Sequence, residues 1–108
     1  MKKYVGITAC PTGIAHTYMA AEKLEETAKE TGNQIKVETQ GSIGVENELT
    51  ADDIREADAV VVAADTEVDL SRFDGKRVLV TGVQDGISRP AELLEQALTA
   101  PTLSLIHI

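Results

Sequence analysis

The sequence predicts a single α/β domain: a four-stranded parallel sheet in the order 2-1-3-4, with helices on both faces. Three observations predict it. Apolar runs alternate along the chain with stretches of helical period, the pattern of parallel strands joined by crossover helices. The run Ala59–Ala64 is continuously apolar and rich in valine, as a strand buried on both faces requires. The 108 residues suffice for one compact domain and are too few for two.

Taken in order, Tyr4–Ala9 is the first strand. Ile14 to about Thr31 is a helix. Ile14, Tyr18, Ala21, Leu24 and Ala28 fall three and four apart as an inward stripe, with Glu22, Glu25, Glu26, Lys29 and Glu30 opposite. Gly32-Asn33 stops it. Gln34–Thr39 alternates, Ile35, Val37 and Thr39 against Lys36 and Glu38, and predicts a half-exposed edge strand. Gln40–Leu49 is a loop. Thr50 caps a short helix over Ala51–Ala57, with Asp53 in the capping-box position. Ala59–Ala64 is the third strand, the segment 65–75 a loop with at most one helical turn, and Arg77–Thr81 the fourth strand. Ser88 opens the last helix, with Pro90 in its first turn and Ala91, Leu94 and Leu98 facing inward. The domain is thus placed at residues 1–99. Residues 100–108 have no pattern that belongs to it and are expected to be a disordered or foreign tail.

Composition narrows the function classes. A net charge of −8 sets the surface against nucleic acid and anionic lipid. Aromatic residues make up only 3%, with no Trp, so base stacking is not expected either. The run after Met1-Lys2-Lys3 is too short for a signal core or a membrane span, so no direct membrane insertion is expected. One cysteine excludes an internal disulfide and fits a reducing cytoplasm.

That cysteine is the most informative residue. Cys10 stands where the first strand ends, and Pro11, Thr12, Gly13, Ile14, Ala15, His16 and Thr17 follow as a turn and a helix start. In the predicted strand order this is the topological switch point, where open α/β sheets place ligands. Gly13 permits a turn with inward amides, Thr12 and Thr17 offer hydroxyls, and His16 offers a ring nitrogen. A helix dipole and such donors favour an anion and should hold the thiol below its ordinary pKa of about 8.5. A thiolate there suits attack on phosphorus.

Cysteine-dependent phosphatases of the low-molecular-weight tyrosine phosphatase type share this frame: Cys, five residues, Arg, then Ser or Thr. Here His16 stands at the Arg position and Thr17 follows. Without the bidentate guanidinium the loop has a weaker clamp on a transferring phosphoryl group. Asp65, after the third strand, is the only candidate for a hydrolase's acid. The residues thus favour a carrier over the alternatives, a phosphatase or arsenate-type reductase, or a binding module whose thiol is incidental. There is no phosphate-binding Gly-x-x-x-x-Gly-Lys motif, no dinucleotide motif and no Cys-x-x-Cys pair. No cofactor and no metal are expected.

The block from Val5 to Thr17 with Met19-Ala20-Ala21-Glu22, then Val37-Glu38-Thr39-Gln40-Gly41-Ser42, Asn47-Glu48-Leu49-Thr50, and Ala63-Ala64-Asp65 to Val68-Asp69-Leu70-Ser71-Arg72-Phe73, closely resembles one family. It is the B component of fructose-specific enzyme II, in the bacterial phosphoenolpyruvate-dependent sugar phosphotransferase system. The resemblance covers about residues 3 to 98. It implies a cytoplasmic module phosphorylated on Cys10 by a phosphohistidine of the A component. Cys10 would pass the group to fructose held by the membrane-embedded C component, so that the module associates with an inner-membrane transporter partner. It further implies that Pro11 to Thr17 surround the phosphoryl group and that Gln40, Gly41 and Ser42 stand beside it. The rim must receive two partners in turn, and Ile14, Tyr18 and the loop near Ile43 are expected to form part of that docking surface.

Overall fold

The structure, a computed structural model, describes residues 2–10, 14–41 and 44–100, with no side chain described for Ile14. In chain order it contains β1 (Lys3–Ala9), α1 (Ile14–Glu30), β2 (Gln34–Gly41), β3 (Gly44–Glu46), α2 (Ala51–Glu56), β4 (Ala59–Ala64), a 3-10 turn (Ser71–Phe73), β5 (Val78–Thr81), α3 (Val83–Ser88) and α4 (Pro90–Leu98).

The sheet runs β3-β2-β1-β4-β5. Its four parallel strands keep the predicted order; the fifth, β3, corrects the strand count. It turns back from β2 as an antiparallel hairpin, pairing Thr39 with Glu46, Gln40 with Val45 and Gly41 with Gly44. Gly41 and Gly44 read as loop residues, yet Gly44, at a φ of 121°, is where the hairpin turns back. β2 is therefore not an edge strand, and part of the expected loop 40–49 is sheet.

Alternation along the strands sorts the core into two layers. Tyr4, Val37, Ala59 and Val61 pack under Leu24 and Ala28 of α1 and Leu93, Leu94 and Ala97 of α4. Val5, Ile7, Val60 and Val62 pack on the other face, with Leu49, Ile54 of α2 and Phe73 of the 3-10 turn. Helices thus cover both faces. β4, with five of its six residues buried, is the central strand that its unbroken valine run predicts.

Each helix end has a local cause. α1 closes with the Asn33 N–H on the Ala28 carbonyl at 2.7 Å and the Gly32 N–H on Lys29 at 3.1 Å, a Schellman pair around a glycine at φ 76°. The Thr50–Asp53 capping box at α2 is complete: the Thr50 hydroxyl accepts from the Asp53 N–H at 3.1 Å, and Asp53 accepts from the Thr50 N–H at 2.8 Å. The Lys36 ammonium beside it and the Thr50 bonds hold the Asp53 carboxyl down at about 2. A lowered pKa contributes stability above the ordinary carboxylate range and loses it as pH falls through the folded value. Thr50→Ala is expected to cost about 1 kcal/mol in urea denaturation at pH 7. This difference should shrink as pH drops from about 4 towards about 2, the interval over which Asp53 gains its proton.

Other expectations are corrected. On α1 the inward residues are Thr17, Ala20, Ala21, Leu24 and Ala28; Tyr18 is 40% exposed, and the Glu46 carboxylate of β3 near it raises the pKa of its phenol. Ser88 does not open the last helix but ends α3, and α4 starts at Pro90, whose missing N–H costs nothing at a first position. In α4, Leu93, Leu94 and Ala97 are buried and Ala91 is exposed. The expected tail lies outside the described residues except for Ala100, which is buried and accepts a hydrogen bond from Arg77 at 3.1 Å.

Candidate functional site

β1 delivers Cys10 to the C-terminal edge of the sheet, between β2 and β4. Ala9 is in register with Gln40 on one side and Ala64 on the other, and the Asp65 N–H donates to the Ala9 carbonyl at 2.9 Å. Cys10 continues on the α1 face and packs against Ala20 of α1 and Val83 of α3, with Ile87 alongside. It is 5% exposed. α1 begins four residues later, and its first turn holds no acid to oppose the positive end of the helix. Its last turn holds Lys29, which favours the opposite end. Thr8 ties strand to helix, its buried hydroxyl donating to the Thr17 carbonyl at 3.1 Å.

Of the predicted site residues, Pro11, Thr12, Gly13 and Ser42 lie outside the described residues, as does Ile43 of the expected docking surface. Ile14 starts α1, Ala15 and His16 are exposed in its first turn, and Thr17 is fully buried beside β1. Gln40 and Gly41 are the last residues of β2. The structure thus gathers Cys10, the start of α1 and the end of β2 at one edge. Among the described residues no three His, Cys, Asp or Glu side chains form a metal-binding group.

Asp65 has another task. Its Oδ1 accepts from the Val83 N–H at 3.1 Å and so caps α3. A Cβ at Gly82 would stand 3.2 Å from that oxygen, and one at Gly86 would stand 3.2 Å from Ala20 and Ala63, so both glycines let α3 come close. α3 in turn walls Cys10 with Val83 and Ile87. Asp65→Ala is expected to loosen α3 by about 1 kcal/mol and raise the rate at which Cys10 reacts with a small disulfide reagent about fivefold. Asp65→Asn keeps the acceptor and should react like the parent. Equal rates in all three proteins would show that α3 does not control access to the sulfur.

Alternation hid one more group. Glu38, read as solvent-facing, is 1% exposed. Its Oε1 accepts from Arg72 Nη1 at 3.0 Å and from the Leu49 N–H at 3.0 Å. Its Oε2 accepts from Arg72 Nη2 at 2.9 Å and from Gln40 Nε2 at 2.6 Å. Burial pushes the Glu38 carboxyl up, but the bonds from Arg72, Gln40 and Leu49 outweigh it, and the group sits below its ordinary pKa. Arg72 also lies 5.4 Å from the centre of the Phe73 ring. No local sequence signal links Glu38 to a partner on the far side of β4.

Comparison with known proteins agrees with this architecture. The family described as PTS system, Lactose/Cellobiose specific IIB subunit, matches residues 5–96. The chain is 57% identical over 96 residues to the PTS system fructose-specific EIIABC component of Bacillus subtilis, covering 89% of this chain and 15% of that one. It is 47% identical over 97 residues to the PTS system fructose-like EIIB component 2 of Escherichia coli K12, covering 89% and 92%. A crystal structure of a domain from the fructose-specific IIABC component of Borrelia burgdorferi superposes with a TM-score of 0.92 at 45% identity, over 94% of this chain and 98% of that one. The chain thus spans about a sixth of the length of the multicomponent relatives and nearly all of the single-component one. With the sheet, both helix layers and the Cys10 edge contained in the matched region, the chain belongs to the IIB family of the phosphotransferase system.

Proposed function

We propose that this domain is a phosphoryl carrier in fructose uptake, with Cys10 as the residue that bears the phosphoryl group. The unit is residues 1–99. The Cys10 thiolate attacks phosphorus in line, the P–N bond to a phosphohistidine of the A component, protonated on its other ring nitrogen, breaks, and neutral imidazole leaves. In the second step a hydroxyl of fructose, bound in the membrane C component, attacks the phosphorus. The S–P bond breaks, the thiolate returns, and the hydroxyl proton goes to the base that activates it.

The observation that carries this reading is Cys10 at the sheet's C-terminal edge, four residues before a helix whose first turn has no acid. Aligned N-terminal amides favour the dianion, and transfer needs positioning and charge stabilisation more than further covalent machinery. Low exposure of Cys10 limits water around the sulfur and so favours transfer over hydrolysis. Pro11 to Thr17 form the phosphoryl loop in this reading, and Gln40, Gly41 and Ser42 its second wall. The names of the relatives support the partners: one is an EIIABC component and others are EIIB'BC components, all called fructose-specific. No described helix is long and apolar enough to cross a membrane, which fits a cytoplasmic module meeting a membrane partner.

Incubation with phosphoenolpyruvate, the general phosphotransferase proteins and an A component tests the scheme. The expected result is a phosphorylated chain that discharges only when the C component and fructose are added. Rapid turnover of an aryl phosphate without partners would instead make the protein a phosphatase.

A further inference from the structure

We propose that the first two turns of α1 are the docking face for the A component, centred on Tyr18 and Met19 and rimmed by Glu22 and Glu46. The proposal rests on the carrier reading of Cys10 and goes beyond it, by naming which partner covers this face and with what chemistry. From Glu22 onward every exposed position of α1 is charged: Glu22, Lys23, Glu25, Glu26, Lys29 and Glu30. Before Glu22 the exposed positions are Ala15, His16, Tyr18 and Met19, with Tyr18 at 40% and Met19 at 47%. A helix that only borders solvent keeps polar groups along its whole outward face. On α1 the apolar part of that face is confined to the end nearest Cys10.

Reach requires a protein to cover it. Tyr18 and Met19 lie four and five residues beyond Ile14, about 6–8 Å along the axis from the end that follows Cys10. A standard interface takes about 800 Å² from each partner, a disc of roughly 16 Å radius. A donor that brings phosphorus to the Cys10 sulfur therefore buries both side chains. Charge selects the partner. Tyr18, Glu22 and Glu25 face Thr39 of β2 and Glu46 of β3 across a groove of about 270 Å³ that no Lys or Arg lines. Thr39 and Glu46 are in register with Thr8, whose hydroxyl bonds α1, so the groove lies on the same side of the sheet as Cys10. Among the described residues Glu22, Glu25 and Glu46 are in no ion pair. A phosphohistidine brings negative charge to a chain of net charge −8, so the rest of its protein's face must be basic for a fast encounter. The C component sits among anionic headgroups, which repel carboxylates. The complementary partner is the A component, with an apolar centre flanked by Lys or Arg.

The test is the rate of Cys10 phosphorylation against the concentration of phosphorylated A component, with a melting curve for every protein. Met19→Glu is expected to raise the half-saturating concentration about tenfold or more and to lower the maximum rate far less. Met19→Ala takes its place should the glutamate variant not fold. Glu22→Lys is expected to raise the half-saturating concentration about threefold and to flatten its dependence on salt. Glu30→Lys makes the same charge change at the far end of α1 and is expected to behave like the parent. A half-saturating concentration that Met19→Glu leaves unmoved, or that Glu30→Lys shifts as far as Glu22→Lys, would overturn the proposal. So would a Met19→Glu chain that takes phosphate normally from the A component and fails to pass it through the C component to fructose, because the face would then belong to the acceptor. A parent chain that never gains phosphate would remove the carrier reading itself, and this proposal with it. A phosphorylated parent with unmoved variants removes the docking face alone.

Discussion

Cys10→Ser is expected to lower phosphoenolpyruvate-dependent fructose phosphorylation, with all partner components present, by at least about 10⁴-fold, the scale on which loss of a nucleophile acts. The substitution changes one atom in a niche formed by Ala20, Val83 and Ile87, so the fold should survive it. What changes is the chemistry. A serine hydroxyl carries almost no alkoxide near neutral pH, whereas a thiol ionises far more readily and its sulfur is the better nucleophile. The product differs too: an oxygen ester of phosphate is a poorer phosphoryl donor than the thiolate-linked group, so the second step would stall even if the first were forced. The check is the coupled sugar-phosphorylation rate alongside a melting curve. A folded serine variant within tenfold of the parent would show that another residue carries the group.

Arg72→Met is expected to be the most damaging single change to stability, at about 3–5 kcal/mol near pH 7. The Glu38 side chain is 2% exposed in its pair with Arg72, so loss of the guanidinium leaves a buried carboxylate without its cation. Against the roughly 5–15 kcal/mol that holds a domain of this size, that is a large share. The pH dependence carries a distinctive sign. In the parent, Glu38 lies below its ordinary pKa, and its contribution is present above the unfolded value and lost as pH falls through the folded one. In Arg72→Met, desolvation prevails and the folded pKa rises above the unfolded one. Its stability should then fall as pH rises from about 4 to 7, where the parent's Glu38 contribution is constant. Urea midpoints at pH 5 and pH 7 decide the matter. A variant that gains stability over that interval, or loses less than about 1 kcal/mol at pH 7, would show that Glu38 is not held by Arg72.

These two residues mark the boundary of what the sequence reveals. Cys10 was legible because the strand that precedes it, the turn residues and the helix that follows lie together in the chain. Period-2 and period-3.6 patterns placed β1, β4 and most of α1, and spacing alone found the capping box at Thr50 and Asp53. Glu38 was not legible. Alternation assigns a face, and the face opposite Val37 is the one that α2 and the 3-10 turn cover. Its partner is 34 positions away, brought back by the β4 connection. α3 escaped for a different reason. Six residues with a central glycine give no periodic signal, and Gly82 and Gly86 serve as spaces for close packing that no pattern in the chain reveals. Asp65 then stood only as a candidate for a hydrolase's acid, although it caps the helix that walls Cys10.

The proposed chemical centre is Cys10, at the sheet's C-terminal edge. A helix start on one face is ready for an anion, α3 shields the sulfur, and a buried charged node lies beneath the end of β2. Intact mass of the chain after incubation with phosphoenolpyruvate, the general phosphotransferase proteins and an A component tests this most directly, followed by mapping of any modified peptide. The account predicts a gain of one phosphate, located on Cys10. A protein that gains nothing, or that carries the phosphate on His16 or any other residue, would contradict it.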